Sequence, residues 1–190
     1  MTNKQRVSYA GLFDDVAASA WYAPSVDYVK YGRLMYGTGN NLFQPDAQMT
    51  RAMFAQVLYA LEGSPSVSGL SCPLTDAGGS WYTDAVIWAY NAGVAAGVSA
   101  TEFAPNEPLT REQMVKMLYG YASRSEQLTG DAGALSPYRD QVNVSAWARE
   151  AMVWAVSTGI VCGTSPTTLS PQKIGTRAEV ATVVMGFCEQ

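Results

Sequence analysis

Three arginines each stand directly after a threonine, at Thr50-Arg51, Thr110-Arg111 and Thr176-Arg177. The setting reads as a helix start. Threonine is a good N-cap, Gln113 and Glu179 stand three places after Thr110 and Thr176, and an apolar stripe follows each pair. An arginine at the first helical position faces the positive end of the helix dipole, which costs a little stability. The chemistry that would justify it is anion binding. A helix N-terminus offers backbone N–H groups without intrahelical partners. The guanidinium adds a planar fork suited to a carboxylate. Each charge-assisted hydrogen bond contributes roughly 1.5–3 kcal/mol.

The elements that hold these pairs are repeated. With Trp21, Trp81 and Trp147 as rulers, the residues 16 places on are Gly37, Gly97 and Gly163, and those 24 places on are Pro45, Pro105 and Pro171. The threonines follow at 29 places, and an aromatic lies at seven: Tyr28, Trp88 and Trp154. An aspartate precedes each tryptophan: Asp15 in "FDDV", Asp76 in "LTDA" and Asp140 in "YRDQV". Spacing this constant defines three copies, spanning 12–62, 73–123 and 137–188, joined by small and polar linkers.

Each copy reads as helix, loop, helix. The first helix starts near the tryptophan; Gly93 and Gly159 fit left-handed C-caps, and the first copy departs with Arg33 in that place. A loop of about sixteen residues follows, carrying one large apolar residue (Phe43, Phe103 or Leu169) that pins it to the core. The second helix carries Phe54, Val57, Leu58 and Leu61, then Met114, Met117, Leu118 and Tyr121, then Val180, Val183, Val184 and Phe187, the stripe of an amphipathic helix. One helix pair of about fifty residues buries too little to stand alone. The expected fold is all-α, a helical bundle with pseudo-threefold symmetry.

Composition narrows the function classes. Of 190 residues, 48% are apolar and 15% charged, which argues for a buried core and against disorder. A net charge of −4 disfavours nucleic acid as a partner. No apolar run is long enough for membrane insertion, and the opening "MTNKQRVSYAG" lacks the apolar core of a signal peptide. Three cysteines (Cys72, Cys162 and Cys188) without metal spacing, and no histidine, make a disulfide framework or a zinc site unexpected. No acid pair stands near a candidate nucleophile; Glu107 and Glu112 read as helix-start acids. No catalytic residue, metal or cofactor is expected.

The pattern resembles three tandem S-layer homology (SLH) modules. It is carried by "FDDV", by "YGTGNNLFQPDAQMTRAMF" from Tyr36 to Phe54, by "GVAAGVSATEFAPNEPLTREQM" from Gly93 to Met114, and by "GIVCGTSPTTLSPQKIGTRAEV" from Gly159 to Val180. The resemblance implies a single-chain, monomeric pseudo-trimer with three projecting prongs. It implies anchoring to secondary cell-wall polysaccharide outside a bacterial cell, often through a pyruvylated sugar, in grooves between modules. Arg51, Arg111 and Arg177 would then pair with the negative charge. Gly37, Gly97 and Gly163 would let amides approach the sugar, or serve turn geometry alone. Trp21, Trp81 and Trp147 would stack on it, or begin the core helices and be buried. The three aspartates would contact ligand or metal, or cap the turn before the first helix.

The copies are unequal. "TRAE" at Thr176 is complete, "TREQ" at Thr110 can still close a capping box, and "TRAM" at Thr50 cannot. Unequal sites follow, with multivalency making up for weak grooves. Met53, Gln113 and Arg33 also suit a competing reading, a structural or protein-interaction module that keeps the fold without the sugar. In an exported protein Cys162 and Cys188 could form a bridge.

Overall fold

The computed structural model describes residues 11–190. Apart from Gly11, the segment read as lacking a leader's apolar core lies outside the described residues. Six α-helices follow in order: α1 (Ala23–Tyr31), α2 (Arg51–Leu61), α3 (Thr83–Asn91), α4 (Arg111–Ala122), α5 (Arg149–Ser157) and α6 (Arg177–Cys188). Among the described residues there are isolated bridges and no strand, so the fold is all-α with three helix-loop-helix repeats.

The second helices start at the threonine-arginine pairs. Thr50, Thr110 and Thr176 are N-caps in extended backbone, and their hydroxyls accept from the amides of Met53, Gln113 and Glu179. Gln113 and Glu179 return a bond to the N-cap amide and close two capping boxes; Met53 has no group to do so. The stripes are buried at three of their four positions, with Leu61, Tyr121 and Phe187 at the margin. The first helices begin two residues after their tryptophans. Gly93 and Gly159 take left-handed backbone at φ 70° and 74°, and Arg33 adopts the same conformation at φ 58° without glycine's freedom.

The chain forms two compact units, residues 11–47 with 176–190, and residues 48–175. In the first, α1 packs on α6. In the second, α3 packs on α2, α5 packs on α4, and α2 touches α4. A first helix therefore lies against the second helix of the preceding copy, and for copy one the preceding copy is copy three. Inside the 48–175 unit, the residues just before the threonines close a ring of three backbone hydrogen bonds. Met49 N–H donates to Gly175 O (3.0 Å), Gly175 N–H to Leu109 O (2.9 Å), and Leu109 N–H to Met49 O (2.8 Å). One residue from each copy enters the ring, so the threefold relation is written into the backbone there.

Beyond α2 and α4, Arg124 donates to Glu62 at 2.7 Å and lies over the Trp88 and Tyr121 rings at 5.6 and 5.7 Å. The Arg124 hydrogen bond holds the Glu62 carboxyl below its ordinary value of 4.5. Ionised Glu62 therefore adds stability above that pH, and the gain is lost as pH falls through the lowered folded value. Because both groups are partly exposed, Glu62→Gln should cost only about 0.5 kcal/mol at neutral pH. The difference should vanish in acid, as read from urea midpoints of the two proteins at pH 7 and well below the Glu62 range.

Candidate functional site

Each arginine of a threonine-arginine pair is buried, only 6–7% exposed, against the loop of the following copy. Arg51 Nε donates to Phe103 O (2.8 Å) and Nη2 to Ala96 O (3.1 Å). Arg111 repeats this on Leu169 O (3.3 Å) and Cys162 O (2.7 Å), and Arg177 on Phe43 O (2.7 Å) and Tyr36 O (2.6 Å). Two guanidiniums also lie over the ring they hold: Arg51 is 4.7 Å from the Phe103 centroid and Arg177 4.5 Å from that of Phe43. Leu169 offers Arg111 no ring. Burial draws Arg51 and Arg177 down from the ordinary arginine value, an effect opposed by the Asp76 and Asp15 charges. A guanidinium stays charged through such a shift. The chemistry of each arginine is thus spent first on tying two carbonyls of a neighbouring loop.

The amide side of the same loop belongs to the aspartates. Asp15 accepts from the N–H groups of Phe43 (2.8 Å) and Gln44 (2.7 Å), Asp76 from Phe103 (2.7 Å) and Ala104 (2.8 Å), and Asp140 from Leu169 and Ser170 (both 2.8 Å). The turn-capping reading of these aspartates is therefore corrected: they clasp a segment 27 to 30 residues away. The reason lies in the backbone they hold. Gln44, Ala104 and Ser170 sit at φ 56°, 58° and 57°, a left-handed conformation that costs a non-glycine residue on the order of 1 kcal/mol. Two charge-assisted bonds offset that cost. The bonds from Leu169 and Ser170 also pull the Asp140 carboxyl below its usual range. Phe43, Phe103 and Leu169 have no exposed surface, so the loop is pinned as expected.

The helix mouths are not open anion sites, which corrects the expectation of free amides there. The N–H groups of Arg51, Arg111 and Arg177 donate to Glu107 O, Lys173 O and Ala47 O. Those of Ala52, Glu112 and Ala178 donate to Pro105 O, Pro171 O and Pro45 O. The third amide in each helix goes to the threonine hydroxyl. A neighbouring loop thus satisfies the donors that a ligand would have used. The glycines serve the same loops. A Cβ on Gly97 would stand 2.4 Å from Ser99 O and 2.5 Å from Glu102 O, and one on Gly37 would meet Phe13 and Leu42. The Gly163 amide is already given to the Tyr138 hydroxyl at 3.1 Å.

The tryptophans reverse their buried reading. Trp21, Trp81 and Trp147 are 65%, 59% and 51% exposed, because the helices begin two residues later and the indoles precede the apolar stripe. Trp21 and Trp81 each meet the next tyrosine edge-on, at 5.3 and 5.2 Å. In the 48–175 unit a cleft of about 630 Å³ brings three of the predicted residues together: Arg51 from copy one, Gly97 from copy two and Trp147 from copy three. Its walls are the segment from Gly93 to Val98 and the Lys116, Tyr119 and Gly120 side of α4. Gly37, Gly163, Arg111, Arg177, Trp21 and Trp81 do not line it.

Two residues escaped the sequence reading. Lys116 is one. The other is Glu112, taken as a plain helix-start acid; it does lie in the first turn of α4, but it is buried and accepts from Ser145 N–H (2.9 Å), Ser145 Oγ (2.7 Å) and Gln172 Nε2 (2.7 Å). Its signal was comparative: Ala52 and Ala178 hold that place in the other copies. The three cysteines are free thiols, and no group of metal-ligating side chains occurs among the described residues.

The family model for the S-layer homology domain matches the chain three times, over residues 12–55, 73–115 and 137–181. The surface-layer 125 kDa protein of Lysinibacillus sphaericus is 31% identical over 182 residues, 93% of this chain and 15% of its own length. An endoglucanase of Bacillus sp. (strain KSM-635) is 30% identical, covering 96% of this chain and 19% of its own. Exoglucanase XynX of Acetivibrio thermocellus is 26% identical, covering 94% and 16%. The chain spans less than a fifth of each of these three relatives.

Proposed function

The chain belongs to the S-layer homology domain family, and from that premise we propose that it anchors a protein non-covalently to the bacterial cell wall, outside the cell. In this reading its partner is an anionic, pyruvylated secondary cell-wall polysaccharide, and the chain binds it as a monomer. The observation that carries the reading is the 48–175 cleft, where three copies meet around an exposed indole. Clefts of a few hundred cubic ångströms with an apolar floor and a few polar groups suit small ligands, and an exposed tryptophan suits a sugar face. Trp21, Trp81 and Trp147 then stack on sugar, Gly97 and Arg51 bound the cleft, and Arg111, Arg177, Gly37 and Gly163 act through the loops they shape. Catalysis, where a parent protein has it, belongs to another region; the enzyme-named relatives match this chain over less than a fifth of their length.

Sedimentation with purified cell walls tests the reading. The chain should pellet with intact walls and remain in the supernatant once the non-peptidoglycan polymer has been extracted. Trp147→Ala should weaken pelleting about tenfold, which corresponds to about 1.4 kcal/mol. One observation favours a second reading, a scaffold without sugar affinity: all three paired arginines give Nε and Nη2 to loop carbonyls. Absence of pelleting on intact walls would select that reading.

A further inference from the structure

We infer that Lys116, and not the arginine of a threonine-arginine pair, supplies the positive charge that meets a sugar carboxylate in the 48–175 cleft. The inference rests on the wall-binding reading above and names the residue that gives it charge selectivity. Two basic side chains line the cleft, Arg51 and Lys116, and no acidic one does. Arg51 is almost fully buried and gives Nε and Nη2 to Phe103 O and Ala96 O. Turning Nε and Nη2 toward a ligand would strand two carbonyls, which leaves Arg51 only its Nη1 arm to offer the cleft. Lys116 has no such duty. It stands half-buried on α4, and its Nζ lies over the Tyr119 ring at 5.4 Å from the centroid.

The ring that seats Lys116 is itself braced. Burial, with the nearby Glu150, raises the Tyr119 phenol above its ordinary value, and the ring meets Trp154 edge-on at 5.6 Å. A lysine stem lying along apolar surface with its head at the opening is a common arrangement. The lining also includes Val94, Ala95, Ala96 and Val98, whose side chains offer a carboxylate no hydrogen bond, and the neutral polar groups of Gln113 and Ser123. An ion pair gains strength where apolar walls displace water.

The copies differ here. Lys116 is the fifth residue after Arg111; the fifth after Arg51 is Gln56, and the fifth after Arg177 is Thr182. The charge is therefore an individual feature of one helix, absent from the repeated pattern. It makes the 48–175 cleft the one in which α4 contributes a cation.

The test uses the whole chain, three variants and two preparations of cell wall. One preparation is native; in the other, carboxylates are amidated with a carbodiimide and an amine. Lys116→Gln should bind native walls about tenfold more weakly than the parent, a loss of one charge-assisted contact. Lys116→Arg should restore most of the affinity, and Lys116→Thr should resemble Lys116→Gln. Amidation should bring the parent down to the level of Lys116→Gln and leave that variant unchanged. Thermal unfolding of each variant provides the folding control. If the parent pellets and Lys116→Gln pellets equally, the inference fails while wall binding stands. If the variant loses the same factor on amidated walls, Lys116 is structural and the inference fails. A parent that never pellets overturns both.

Discussion

Arg111→Met should lower the unfolding free energy by about 3 kcal/mol, and the midpoint of thermal unfolding should fall by roughly 6–12 °C for a chain of this size. Methionine has a similar bulk and no donor. Its insertion leaves Leu169 O and Cys162 O, now held at 3.3 and 2.7 Å, without their partner, the first of them in a buried contact. The penalty is chiefly that of stranding the buried Leu169 acceptor and losing the charge-assisted bond to Cys162 O, and the first exceeds the net worth of the bond itself. Arg111→Lys should recover only part of the loss, because one ammonium cannot reproduce the fork that reaches two carbonyls. Urea titration followed by tryptophan fluorescence measures it. Should Arg111→Met unfold at the parental midpoint yet fail to pellet with walls, the side chain acts on ligand and the loop-tying account is wrong.

Gly163→Ala is the second large effect, about 2–3 kcal/mol of destabilisation. The new Cβ would stand 2.4 Å from Cε1 of Tyr138 and 2.5 Å from the carbonyl oxygens of Ser165 and Thr168. Two of those three obstacles are backbone, and the third is the ring whose hydroxyl accepts the Gly163 N–H. None can withdraw without opening the loop that Asp140 and Arg111 hold. The contrasting substitution is Gly186→Ala in α6, where a Cβ meets nothing within 4 Å. There the helix should gain up to about 1 kcal/mol from the lost backbone freedom of glycine. The pair of variants separates crowding from conformational entropy within one protein.

Much of the fold was legible because its signals are local. A threonine cap, a partner three residues on and a stripe with helical spacing are all contained in about a dozen residues, and the structure places α2, α4 and α6 accordingly. The site was less legible because its bonds are not local. Arg51 reaches 52 residues ahead, Arg111 reaches 58 and Arg177 reaches back 134, and no spacing inside a copy records which copy's loop an arginine will find. The free-amide expectation failed for the same reason: a helix start read alone has orphan donors, and the proline loop that satisfies them comes from a neighbour. The aspartates failed at intermediate range, where a carboxylate before a helix resembles a cap until the left-handed residue it serves is seen. For the tryptophans, size suggested burial, although large apolar residues also occupy surfaces. Glu112 and Lys116 each occur in one copy, so the repeat that exposed everything else concealed them.

The arginine handover has a consequence for how such a sequence can change. Every copy lends its second helix forward and borrows one from behind, with Arg177 holding the loop of copy one by the carbonyls of Phe43 and Tyr36. A single copy excised from the gene would leave one lender without a borrower and one borrower without a lender. Loss or gain of one module is therefore selected against as a unit of mutation, whereas shifting the breakpoint into a linker keeps every loan intact. Viable recombinants should be circular permutants or whole triplets, never pairs.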